Sequence, residues 1–196
     1  MKSILVKDLM VPLSEYATVD EDATLSEALD VLEKAQEQFD KTRYRHRAIL
    51  VCEKKTGKVI GKISQLDVIR SLEPKYDLFM EEKAFPQTGM SHFGFSPKFM
   101  KNILDQYQLW YEPLHDICGK AGKQNVKDVM HKPTAGEYVK EDANLGEAVH
   151  QLIMGHHQSL LVTKKEDIVG ILRLTDVFKE ICIDRRKANQ PSAGQK

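Results

Sequence analysis

Val59–Ile69, VIGKISQLDVI, decides how the rest of the chain is read. An apolar run interrupted by Gly61 ends near Ile63, and Ser64-x-x-Asp67 follows it directly. A serine with an acid three residues on is an N-terminal capping signal, so the stretch predicts a buried strand feeding a helix at Ser64. The arrangement returns as Ile168–Phe178, IVGILRLTDVF, where Gly170 answers Gly61 and Asp176 answers Asp67, each 109 residues on. Working outward, an offset of 120 links Asp8 to Asp128, Met10 to Met130, Leu25 to Leu145, Glu27 to Glu147 and Leu32 to Leu152. It falls to 111 at His46/His157 and Val51/Val162, then to 109 at the glycines. These shifts fall in polar loops, which is how duplicated units drift apart.

Composition narrows the classes. The 196 residues suffice for one sizeable domain or two small ones, and 41 % apolar with 30 % charged residues suits a soluble globular protein. Lys plus Arg equals Asp plus Glu at 29 each, so no bulk field favours nucleic acid or an anionic membrane. No apolar run approaches the ~20 residues that span a bilayer, so membrane insertion is not expected. The opening MKSILVKDLMVPL places Lys7 and Asp8 inside what would be the apolar core of a signal peptide, and a cytoplasmic protein is expected. Cys52, Cys118 and Cys182 lie far apart with no CxxC pair, which gives neither a disulfide framework nor a zinc knuckle.

Along the chain, residues 2–12 read as a lead-in that closes on the other repeat. Ala17–Val19 is a short extended piece, and the capping box Thr24-Leu25-Ser26-Glu27 opens a helix expected to reach about Gln38. A basic segment (Lys41, Arg43, Arg45, His46, Arg47) precedes a buried strand over Ala48–Cys52, and a turn through Gly57 leads to an antiparallel partner over Val59–Ile63. The second copy repeats this with a strand at Tyr138–Val139, a helix capped by Asn144, a hairpin over Ser159–Thr163 and Ile168–Leu172, and a last helix from Thr175. Residues 1–71 and 126–184 are thus two repeats of strand-helix-strand-strand-helix. Residues 72–125 form a helical insert, with Ser96 capping a helix at Pro97 and Phe99, Ile103, Tyr107, Trp110 and Leu114 as one aromatic-rich stripe. Residues 185–196 read as a frayed tail.

As a set, the K-D-V/L-M lead-ins, D-A-T-L-S-E-A-L, H-R-A-I-L-V and G-K-I-S-Q-L-D resemble the cystathionine-β-synthase (CBS) domain pair, or Bateman module, over residues 4–70 and 126–183. The resemblance implies a mixed α/β (α+β) fold, two repeats about a pseudo-twofold axis, and two clefts that take adenosine-containing ligands. By position, one cleft would use Ser64 and Asp67 with Thr134, Tyr138, His156 and His157. The other would use Thr175 and Asp176 with Ala17, Thr18, His46 and Arg47, with Arg45, His46 and Arg47 as cations for the phosphates; Arg173 stands where the family has Ser or Thr, and either fills that pocket or meets a phosphate. The residue types suit the role. An ionised carboxylate is acceptor-only and can take both hydroxyls of a ribose, while phosphates need cations or helix N-termini. The adenine is expected to slot among apolar strand residues.

The function implied is a non-catalytic sensor of an adenine nucleotide (AMP, ADP or ATP) that needs no cofactor and pairs as a homodimer, with a regulated protein as a further partner. The alternative is a ligand-free interaction subunit docking through 72–125. No nucleophile–base pair, Gly-rich phosphate loop or metal cage argues for an enzyme. His150, His156 and His157 lack a carboxylate or Cys at useful spacing, so no metal site is expected.

Overall fold

The structure, a computed structural model, describes residues 4–37, 46–77 and 96–188. Arg45, most of the basic segment around it, residues 78–95 and the chain after 188 lie outside the described residues.

Each repeat has the strand-helix-strand-strand-helix order read from the sequence. In the first, β2 (Thr18–Asp20) lies parallel to β3 (Ala48–Cys52), which pairs antiparallel with β4 (Val59–Ser64). Helices Leu25–Glu37 and Gln65–Ser71 complete it. In the second, β5 (Tyr138–Lys140) lies parallel to β6 (Ser159–Lys164), which pairs antiparallel with β7 (Asp167–Arg173). Its helices are Leu145–Met154 and Leu174–Ala188. The hairpin β3–β4 turns through Gly57 at φ +68°, a left-handed position that costs glycine nothing.

The two lead-ins are exchanged. Val6 N–H donates to Ala143 O at 3.0 Å, and β1 (Val11–Pro12) adds to the second sheet against β7. In return, Val126 N–H donates to Ala23 O at 2.9 Å, and Lys62 and His131 bridge through both backbone bonds, at 3.1 and 2.9 Å. Val6 is therefore buried in the core of the second repeat, and Val126 in that of the first. The alternation of β4 and β7 makes this possible. A Cβ on Gly61 would meet Met130 Sδ at 2.4 Å, and one on Gly170 would meet Val11 O at 2.6 Å. A third cluster of Val11, Tyr16, Leu50, Leu161 and Ile171 joins the two repeats.

The insert folds back on the first repeat. Ser96 caps helix Pro97–Gln106 by accepting from Phe99 N–H. The stripe expected to run from Phe99 to Leu114 is cut there: left-handed Gln108 and Trp110 reverse the chain, and Leu114 opens a second helix, Leu114–Ala121. Buried Glu73 accepts from Trp110 N–H at 2.9 Å, and Trp110 Nε1–H donates to Tyr76 Oη at 3.1 Å. Ala121 joins the first repeat's core. The last helix also exceeds its expected length, continuing past Arg185 to Ala188. Arg185, Arg186 and Lys187 sit in its final turn, where cations complement the helix dipole. Among the described residues no helix is long and apolar enough to cross a membrane.

Candidate functional site

Ser64 and Asp67 stand together at the head of helix Gln65–Ser71. Ser64 N–H and Oγ–H donate to Asp67 Oδ2 at 2.7 and 2.5 Å, and Asp67 N–H donates to Ser64 Oγ at 3.3 Å. This reciprocal capping box fixes the carboxylate and leaves Oδ1 with no partner among the described residues. The acid is half-buried.

In the second repeat, Thr134 and Tyr138 lie on the segment that follows its lead-in. Between them lies Glu137, which the sequence reading passed over. Lys62 Nζ reaches Glu137 Oε2 at 2.5 Å, and His131 Nε2 meets Oε1 at 2.6 Å. Thr134 N–H donates to the same Oε1 at 3.1 Å. Lys62 and Glu137 side chains are 13 % and 4 % exposed, so this is a buried ion pair crossing from one repeat to the other. Burial pushes the Glu137 carboxyl up, but the bonds from Lys62, His131 and Thr134 outweigh it and bring the pKa from 4.5 to about 2. Strand side chains alternate, so Lys62 shares its face with Ser64. The strand that leads to Ser64 therefore carries a charged, paired side chain. The charge is legible in GKIS itself, since Lys62 occupies the position two before the cap.

His156 and His157 end the Leu145–Met154 helix. A Cβ on Gly136 would lie 3.8 Å from His157 Nε2, which sets that imidazole beside the Thr134–Tyr138 segment. His156 is exposed with φ +51°.

The pseudo-equivalent position is built differently. Arg173 takes the place of Ser64 before the helix, and its Nε–H and Nη2–H donate to Asp176 Oδ2 and Oδ1 at 2.5 and 2.7 Å. Arg173 is buried, and Asp176 half-buried with both oxygens engaged. Tyr16 stands next to this pair. Burial pushes its hydroxyl up to about 12, Arg173 partly offsets that, and Asp176 adds to it. Its ring meets His46 edge-on, centroids 4.3 Å apart, and His46 is buried. Ala17 O accepts from Leu50 N–H, and exposed Thr18 pairs with Leu50. Thr175 is the second residue of the helix and half-buried. Arg47 O accepts from Gln65 N–H at 3.2 Å, at the head of Asp67's helix, and the Arg47 side chain is exposed. The antiparallel pairing of Ala48 with Ser64 puts it there.

Sequence reasoning could have found Glu137, because Thr134-x-x-Glu137 is a capping box like Thr24-x-x-Glu27. Nothing local marks Tyr16, which the fold buries beside the other repeat. Among the described residues no cluster of three or more His, Cys, Asp or Glu could hold a metal ion.

Two β-α-β-β-α units, each completed by the other's lead-in and each with an acid-headed helix, define a tandem-repeat α/β module. The sequence pattern of the CBS domain matches residues 6–74 and 126–183, and the chain belongs to that family. Solved structures agree in fold. CBSX2 in complex with AMP is 17 % identical over 93 % of this chain and 98 % of its own, with a TM-score of 0.54. A CBS domain-containing protein from Bacillus anthracis is 20 % identical over 93 % and 95 %, TM-score 0.57. The CBS domain of a bacterial CNNM/CorC family Mg2+ transporter in complex with ATP is 16 % identical over 92 % and 89 %, TM-score 0.54. A search of curated protein sequences finds no match.

Proposed function

We propose that this protein is a non-catalytic regulatory module that binds an adenosine nucleotide between its repeats, with Asp67 receiving the ribose hydroxyls. The observation that carries this reading is the Ser64–Asp67 capping box, which holds a half-buried carboxylate with one oxygen left for a ligand. A charge-assisted bond from each hydroxyl contributes roughly 1.5–3 kcal/mol. The AMP and ATP complexes of proteins with the same fold support the choice of ligand class. A base seated near Asp67 meets the Lys62–Glu137 pair, so ligand entry bears on a contact between the repeats. That contact is a means of passing occupancy to the rest of the molecule. Exposed apolar side chains on both helices, Leu66 and Ile69 on one and Phe178 and Ile181 on the other, suit pairing with a second copy.

The test is thermal. AMP, ADP or ATP at about 100 times its Kd is expected to raise Tm by about 5–10 °C, and Asp67→Asn to remove most of that rise. A flat response across these nucleotides, S-adenosylmethionine and NADH would count against the reading.

The alternative, a ligand-free interaction subunit, draws support from Met100, Leu104, Tyr111 and Leu114, exposed on the insert. It predicts that replacing these four by polar residues abolishes partner capture while Tm stays the same.

A further inference from the structure

We infer that Arg173 shuts the second cleft, so that a chain whose fold repeats the acid-headed helix twice takes one nucleoside ligand, at Asp67. This rests on the function proposed above. The two positions are matched by register, since Ser64 closes β4 opposite Ala48 and Arg173 closes β7 opposite Ser159. Each is the residue before its helix, and each acid sits three further on. The chemistry at the two then diverges. Ser64 engages one oxygen of Asp67, whereas Arg173 spans both oxygens of Asp176 in a bidentate fork.

A ribose could reach Asp176 only by taking those oxygens from the guanidinium. The Arg173 side chain is 7 % exposed, so a ligand that displaced it would have to break a two-bond contact to a buried guanidinium. Serine imposes no such penalty, because its hydroxyl can share the carboxylate with another donor. A groove lies beside the pair, between Asp8–Pro12 and Lys179–Ile183, with Arg173 and Asp176 in its wall, so the fork is what a ligand entering there would meet. Tyr16 and His46 pack the side towards the first repeat.

Titration calorimetry of the full chain with AMP tests this. The wild type is expected to bind one AMP per chain, Asp176→Asn to keep that value, and Asp67→Asn to weaken binding roughly 10–150-fold. Arg173→Ser recreates Ser-x-x-Asp and is expected to bind two, and the Asp67→Asn, Arg173→Ser double variant one. Two AMP per wild-type chain would overturn the inference while leaving the nucleotide reading intact. So would a folded Arg173→Ser variant that stays at one, or loss of binding in Asp176→Asn in place of Asp67→Asn. Should Arg173→Ser fail to fold, the Asp67 and Asp176 variants still decide. No binding of AMP, ADP or ATP by the wild type or any variant would overturn both.

Discussion

Glu137 is the residue on which the contact between repeats turns at the Asp67 cleft. Its folded pKa of about 2 lies below its ordinary 4.5, so the stabilisation it brings is complete above about pH 4.5 and is lost as pH falls towards 2. The size is on the order of 3 kcal/mol. Glu137→Gln is therefore expected to be less stable than the wild type at pH 7, with the gap closing towards pH 2 in denaturant titrations; parallel stability curves would contradict this. Lys62 is left buried without its anion in that variant, which adds to the loss at neutral pH. At this scale the sequence is legible where the chemistry is local. Ser64 and Asp67 declare themselves by spacing, and they meet as that spacing requires. Arg173 is visible as an odd occupant of a serine position. That its fork would close on Asp176, and not reach outward to a phosphate, depends on burial by the first repeat. Glu137 shows in the sequence only as a capping acid, and its pairing with Lys62, 75 residues away, does not show there.

Glycines in the last strand of each hairpin show what the elements demand of one another. At Gly61 the nearest obstacle to a Cβ is the mobile thioether of Met130, while at Gly170 it is the Val11 carbonyl, held in the β1–β7 pairing. Gly170→Ala should cost about 1–3 kcal/mol and Gly61→Ala less, measured by urea unfolding. Equal losses, or the reverse order, would show that the lead-ins do not approach as described. Period and capping chemistry identify the strands and helices of both repeats within a residue or two, because each carries its own apolar face. They do less well where a segment is stabilised from elsewhere. The insert's stripe splits at Gln108 and Trp110, since Glu73, Lys75 and Tyr76, at the insert's own start, capture that stretch. The last helix outruns its apolar content because its basic end suits the helix terminus.

At the scale of the molecule, duplication is read directly from the offsets, and the exchange of lead-ins follows from it. The exchange makes the repeats interdependent. A fragment ending at residue 71 lacks Ala121 and Val126, both buried in the first core, and should show no cooperative thermal transition. A sharp transition in that fragment would mean the repeat stands without its partner's lead-in. Repeat analysis shows Arg173 in the place of Ser64, but not the bidentate contact with Asp176 that the fold gives it. The most direct measurement of the account is a crystal structure grown with AMP. It is expected to show one nucleotide with its ribose hydroxyls on Asp67 and the Arg173–Asp176 fork unbroken. A ribose bound at Asp176, or a nucleotide bound away from both acids, would contradict it.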